Sequence, residues 1–138
     1  MEVKQVICVR KDLKMRRGKE VAQGAHASLA VFFNMMRDQN GGEVDTKSGK
    51  TYECSFQHAS EAMHIWMTNG FTKITVAVDD ERSLVEVFQK AKAAGLPCAL
   101  ITDSGKTEFN GVPTKTTVAI GPAKSDEIDK ITGDLKLY

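Results

Sequence analysis

Val6-Ile7-Cys8-Val9, inside a β-branched stretch from Val3 to Arg10, is a nearly continuous apolar run. A strand that is apolar on both sides must be covered on both sides, which suits the centre of a layered sheet. Three more segments read as strands. Thr72–Val78 alternates polar and apolar residues, while Cys98–Thr102 and Thr116–Ile120 are short and mostly apolar, the last ending at Gly121-Pro122. Helical spacing fills the intervals. The first helix is expected from about Gly18 to Met36 or Arg37. Its small residues Ala22, Gly24, Ala25 and Ala27 are expected against the sheet, with Leu29, Val31, Phe32 and Phe33 as bulk. A second is expected from a cap at Ser55 to about Asn69, closed by Gly70. A third, capped by Asp79 or Asp80, turns Leu84, Val85, Val87, Phe88 and Ala91 inward and stops at Gly95. A short last helix follows a cap at Ser125 and ends near Thr132, before an extended tail from Leu135 to Tyr138. The order β-α-α-β-α-β-β-α argues for an α/β layered domain with helices on both faces of a mixed sheet. No helix separates Thr102 from Thr116, so those two strands are expected to be antiparallel or apart in the sheet.

A chain of 138 residues suits a single domain with a core large enough to need no staples. Residues 38–54 form a long polar connection, read as a loop or small insertion rather than a linker. Cys8, Cys54 and Cys98 cannot all pair within one chain, and two of them lie in apolar runs; this points to free thiols and a cytoplasmic location. No apolar stretch is long enough to span a membrane. Net charge is only +1, but its distribution is uneven. Residues 1–20 hold seven Lys/Arg against three Asp/Glu, a local positive footprint suited to phosphates.

That footprint surrounds the segment Lys14–His26, K-M-R-R-G-K-E-V-A-Q-G-A-H. Arg10, Lys11, Lys14, Arg16, Arg17 and Lys19 crowd the entrance of the first helix. Lys19, Gln23 and His26 then fall at i, i+4 and i+7, on one face. An amine, an amide and an imidazole beside a cluster of cations make a plausible anion site; a solvated helix start is the plainer alternative. In open α/β sheets ligands gather at the carboxyl ends of strands. The loop Asp103-Ser104-Gly105-Lys106-Thr107 arrives at that edge too. Its aspartate can accept protons or orient water, and Thr107 and Thr116 can relay hydrogen bonds, although Asp-Ser-Gly is also ordinary turn chemistry. The G-x-x-x-x-G-K-[ST] spacing of a phosphate loop is missing. Cys54, His58 and His64 give a loosely zinc-like C-x3-H-x5-H without a fourth ligand nearby, so a metal site is not expected. The methionines and Trp66 read as packing residues. No G-x-S-x-G elbow is present, and no cysteine lies beside an obvious base, so a covalent mechanism lacks support.

Four blocks, taken together, resemble one family. K-M-R-R-G-K-E-V-A-Q-G-A-H-A at Lys14–Ala27 is similar to the K-M-x-x-G-K-x-x-A-Q-x-x-H-A signature of the archaeal/eukaryotic-type (type 2) peptidyl-tRNA hydrolases. I-T-D-S-G-K-T-E-F at Ile101–Phe109 resembles their D-[AS]-G-[KR]-T segment. T-V-A-I-G-P at Thr117–Pro122 and I-T-G-D-L-K-L-Y at Ile131–Tyr138 resemble the closing blocks. The resemblance implies a mixed, about four-stranded sheet between helices, a three-layer α/β/α sandwich. It also implies hydrolysis of the ester joining a peptide to the 3′-terminal ribose of tRNA, recycling tRNA from aborted translation without metal or organic cofactor. On that pattern Lys19, Asp103, Thr107, Thr116 and His26 are the expected catalytic residues. Gln23, Arg10, Lys11, Lys14, Arg16, Arg17 and Lys106 would hold substrate, chiefly the acceptor stem and 3′ end of peptidyl-tRNA. The polar segment 38–54 is outside the signature. The loop Asn110–Thr114 is one residue longer than the archaeal pattern, which loosens the match of Thr116. Rival readings are a non-catalytic RNA binder and a partner-binding adaptor on the same fold. Dimerisation is compatible with the resemblance, but no residue in the sequence establishes it.

Overall fold

The structure, a computed structural model, describes residues 1–39 and 60–138. Strand β1 is Val3–Arg10, β2 Lys73–Val78, β3 Cys98–Asp103 and β4 Thr114–Lys124. The helices are α1 Arg17–Gln39, α2 Glu61–Thr68, α3 Glu81–Ala93 and α4 Ser125–Thr132. The sheet order is β2-β1-β4-β3. β1 and β2 are parallel, and β4 runs antiparallel to both its neighbours, β1 and β3. The apolar run of β1 therefore sits centrally, with Val6 to Val9 all buried. The step from β3 to β4 holds one short 3-10 turn, Phe109–Gly111, and no crossover helix, and the two strands pair directly as antiparallel neighbours.

Side chains alternate across the sheet and divide the core in two. On one face Val6, Cys8, Val76, Val78, Val118 and Ile120 pack with Leu84, Val87 and Ala91 of α3 and Ile128 of α4. On the other, Ala99 and Ala119 meet Ala27 and Val31 of α1. Gly24 faces Ile7 of β1, where even a Cβ would make only ordinary contact, at 3.7 Å. Two buried polar groups brace this contact. Ser28 Oγ donates to Gln5 Oε1 at 2.6 Å, and Gln5 Nε2 donates to the Gly121 carbonyl at 3.1 Å. Burial without such partners would cost roughly 1–3 kcal/mol per group.

Several expectations change in detail. α2 is capped by Ser60, whose side chain accepts from the Met63 N–H at 3.1 Å. The expected cap Ser55, Cys54, His58 and the polar stretch beyond residue 39 lie outside the described residues. Asp80, rather than Asp79, caps α3 by accepting from the Ser83 N–H at 2.8 Å. Ser125 is the first residue of α4 instead of its cap; its backbone N–H donates to the Glu2 carbonyl, which ties the helix start to the head of β1. β4 does not stop at Gly121-Pro122 but continues to Lys124. Gly121 absorbs the irregularity at φ +96°, where a Cβ would fall 2.7 Å from the Lys4 carbonyl, beside a register shift between Lys4 and Val6. Ala22, Ala25, Leu29 and Phe33 of α1 are exposed, because the face that meets the sheet is Gln23, Gly24, Ala27, Ser28 and Val31. Among the described residues no helix is long and apolar enough to cross a membrane.

Candidate active site

Three segments meet at one edge of the sheet: the first turns of α1 after β1, the end of β3, and the start of β4 between them. The turn that carries the chain into α1 is pinned by Met15. This side chain is buried against Ile7 and Val9, while Lys14, Arg16 and Arg17 on either side of it stay in solvent. That anchoring puts Lys19 and Gln23 over the end of β3.

Asp103, the last residue of β3, is the hub. Its Oδ1 accepts from Lys19 Nζ at 2.9 Å and from Gln23 Nε2 at 3.2 Å, and its Oδ2 accepts from the Gly105 N–H at 2.9 Å. Lys19 Nζ also donates to Thr107 Oγ1 at 2.9 Å and lies 5.9 Å from the centre of the Phe109 ring. The Lys19 and Asp103 side chains are 14% and 13% exposed, enough for a substrate atom to reach them but too little for free hydration. A pair drawn this far out of water holds only while both charges are matched.

The loop between β3 and β4 is shaped to keep these groups in place. Gly105 has φ +81°, and a Cβ there would fall 2.4 Å from the Val112 carbonyl oxygen, so only glycine fits. The Gly111 N–H closes the loop on the Gly105 carbonyl at 2.9 Å. Phe109 and Asn110 both take positive φ, 68° and 52°, a costly conformation for side-chain-bearing residues. Phe109 is held there by packing against the Ile7, Val9 and Met15 cluster.

At the start of β4 the register slips: Ile101 faces Thr117, but Thr102 faces Lys115. Thr116 is the extra residue. Neighbours on a regular strand point to opposite faces; here both hydroxyls reach Gln23. Thr116 Oγ1 donates to Gln23 Oε1 at 2.5 Å, and Thr117 Oγ1 donates to the Gln23 carbonyl at 3.0 Å. The Asp103 contact settles the orientation of the amide, since only the NH2 can donate to a carboxylate, and the Thr116 hydroxyl therefore donates to Oε1. Gln23 is thus a buried strut between Thr116 and Asp103, and the substrate-contacting role expected of it does not match its burial. Thr116 joins the cluster through it, despite the longer loop before it. The bulge that enables this, and the contributions of Thr117 and Phe109, left no pattern in the sequence beyond two adjacent threonines in an apolar strand.

The remaining candidates separate. His26 shares the face of Lys19 and Gln23 but is exposed, and no hydrogen bond joins it to the cluster. Arg10 departs from the phosphate-holding role expected of it. Its guanidinium grips Asp12 at 2.7 and 3.1 Å and donates to the Lys115 carbonyl at 3.0 Å, fastening the end of β1 to β4. Lys11 pairs with Asp79 at 3.0 Å in solvent, where such pairs exchange easily, and the exposed Arg16 pairs at 3.3 Å with Glu108, whose side chain is largely covered. Lys14, Arg17 and Lys106 are exposed and have no ion pair among the described residues. Trp66 stacks on Phe32 at 5.8 Å and donates its indole N–H to the Thr72 carbonyl at 2.8 Å, a packing role. Burial pushes the Cys8 thiol up to about 12, which makes it inert at neutral pH.

The Lys19 hydrogen bond, followed by the Gly105 N–H and the Lys19 charge, holds the Asp103 carboxyl below its ordinary range, against the opposing effect of burial. The folded value lies below the unfolded one, so the stabilisation is complete above the unfolded value and is lost as pH falls through the folded one. The stability difference between wild type and Asp103→Asn, measured by urea unfolding, is therefore expected to be constant near neutral pH. It should shrink once pH drops below about 4, the unfolded carboxylate range. A difference that grows on acidification would contradict the assignment.

A family model described as peptidyl-tRNA hydrolase PTH2 matches residues 3–138. A peptidyl-tRNA hydrolase of Methanocaldococcus jannaschii is 39% identical over 135 residues, covering 98% of this chain and 99% of the relative. One from Halobacterium salinarum is 40% identical over 137 residues, covering 99% and 100%. One from Methanopyrus kandleri is 38% identical over 134 residues, covering 97% of each.

Proposed function

The chain belongs to the peptidyl-tRNA hydrolase PTH2 family, and from that premise we propose that its Lys19–Asp103 cluster hydrolyses the ester bond between peptide and tRNA. Water adds to the ester carbonyl and the acyl C–O bond breaks. The peptide leaves as a carboxylic acid, and the 3′-terminal ribose recovers its hydroxyl.

The observation that carries this reading is the unspent hydrogen-bonding capacity of the cluster. An ammonium has three N–H donors, and Lys19 uses two, on Asp103 and Thr107. The third is free for the oxygen that gains charge as water attacks, and the bonds already made hold it there without further reorganisation. Asp103 Oδ2 accepts one bond and retains a lone pair for water. From this position Asp103 orients the attacking water and can accept its proton, which passes to the ribose oxygen as the acyl C–O bond breaks. Thr107 accepts from Lys19, which leaves its own hydroxyl proton free for the ribose oxygen or the water. Gln23 and Thr116 fix Asp103 from the buried side. His26 stands outside this set, and its share in proton transfer is not part of the mechanism.

The tRNA would lie across the rim formed by Lys11, Lys14, Arg16, Arg17 and Lys106, beside the positive N-terminal end of α1. Such contacts read phosphates and not bases, so acceptor stems of different sequence should bind alike.

Release of N-acetyl-aminoacyl groups from tRNA tests the mechanism. Wild type is expected to turn over, and Lys19→Ala to slow the single-turnover rate by about 10²–10³ while still binding tRNA. Loss of binding in step with the rate would make Lys19 a tRNA ligand only. The rim has a separate signature. Arg17→Ala is expected to reduce the slope of log Kd for tRNA against log salt concentration by about 1. An unchanged slope would remove Arg17 from the phosphate contacts.

A further inference from the structure

Next to the catalytic cluster, among the described residues, lies a groove of about 850 Å³ between α1, Ile7 and Val9 of β1, Lys73 and Thr75 of β2, and the end of α2. Its walls are apolar. Val21, Leu29 and Phe33 of α1 and Phe71 beyond α2 each leave half or more of their surface open, and all line it. Solitary exposed apolar residues are commonplace, but a concave set along one helix marks a binding surface.

We propose that this groove holds the peptide of peptidyl-tRNA, upstream of the ester. The proposal rests on the hydrolase reading above. Continuity is its first support. Glu20, next to Lys19 in the chain, lines the groove, and its floor includes Ile7 and Val9. Those two residues also carry Phe109, the ring beside the Lys19 ammonium. The groove therefore starts where the ester would sit.

Charge is the second support. The polyanionic half of the substrate is matched by Lys11, Lys14, Arg16, Arg17 and Lys106, and none of these lines the groove. The charged residues that do line it are Glu20, which accepts from the Tyr138 hydroxyl, and Lys73, whose ammonium lies over the rings of Trp66 and Phe71 at 4.9 and 5.2 Å. What remains for a ligand is a nearly uncharged apolar surface, suited to a neutral chain of varied side chains. Length is the third support. From Val21 to Phe33 α1 rises by roughly 18 Å, the span of about five extended residues. The groove would grip apolar residues by contact area with no demand for one sequence, as befits an enzyme that meets many peptides.

Two substrates separate this proposal from the hydrolase reading itself. One is N-acetylglycyl-tRNA, whose acyl group is too short to enter the groove; the other is tRNA bearing an N-acetylated apolar pentapeptide. The variant combines Leu29→Ser with Phe33→Ser, two exposed positions outside the catalytic cluster, with its fold verified by thermal melting. Expected is a loss of about tenfold or more in kcat/KM on the pentapeptidyl substrate, with N-acetylglycyl-tRNA turned over within about twofold of wild type. Equal loss on both substrates, or no loss on either, would overturn the proposal. Unchanged rates with a shift in sedimentation would also overturn it, and would assign this face to a second copy of the chain. A wild type that turns over neither substrate would fail the hydrolase reading, and the peptide site with it.

Discussion

The ion pair between Lys19 and Asp103 spans 84 positions of sequence and joins the first turns of α1 to the end of β3. Two charges this far out of water impose conditions on everything around them. Asp103 needs further donors, and the Gly105 N–H and Gln23 amide supply two. Gln23, buried in turn, needs an acceptor's partner of its own, and the bulge at Thr116 supplies it. Gly105 must be glycine because the loop that delivers its N–H runs against the backbone of Val112. The site is thus a chain of polar debts, each settled by the next element inward, and its outermost member is an ammonium with one donor left for substrate.

Helix α1 serves three surfaces at once. Gly24, Ala27 and Val31 lock it to the sheet; Lys19 and Gln23 build the cluster; Val21, Leu29 and Phe33 look out over the groove. The periodicity of the helix separates these roles by angle, so that a single rigid element fixes their relative positions. On the proposed reading, a substrate that is a polyanion at one end and a neutral peptide at the other would meet a basic rim, a reactive centre and an apolar groove in that order. Rigid placement of both ends is what holds an ester near attack geometry.

Much of this was readable from residue patterns. The buried run of β1, the missing crossover before β4 and the clustered cations all have local causes, and each led to the arrangement found. Lys19, Asp103, Thr107 and Thr116 came from linked motifs, and the structure brings them together. The errors share a cause: they concern orientation rather than position. Spacing put His26 on the face of Lys19, yet the rotation that buries Gln23 leaves His26 in water. Arg10 was counted with the other cations because its charge is legible and its bidentate grip on Asp12 is not. Leu29 and Phe33 were expected as bulk beside the small residues of α1, but they lie off the face formed by Gln23, Gly24, Ala27, Ser28 and Val31 and stay exposed. The continuation of β4 through Gly121-Pro122 depended on a partner strand that accepts a shift opposite Lys4.

Lys19 and Asp103 are expected to act as one unit. A double-mutant cycle on the single-turnover hydrolysis of N-acetyl-aminoacyl-tRNA, with Lys19→Ala, Asp103→Ala and both together at saturating enzyme, measures this directly. Strong non-additivity is expected, with the double variant within about threefold of the slower single one. Losses that multiply would show that the two residues contribute independently, and would contradict the ion pair as the organising element of the site.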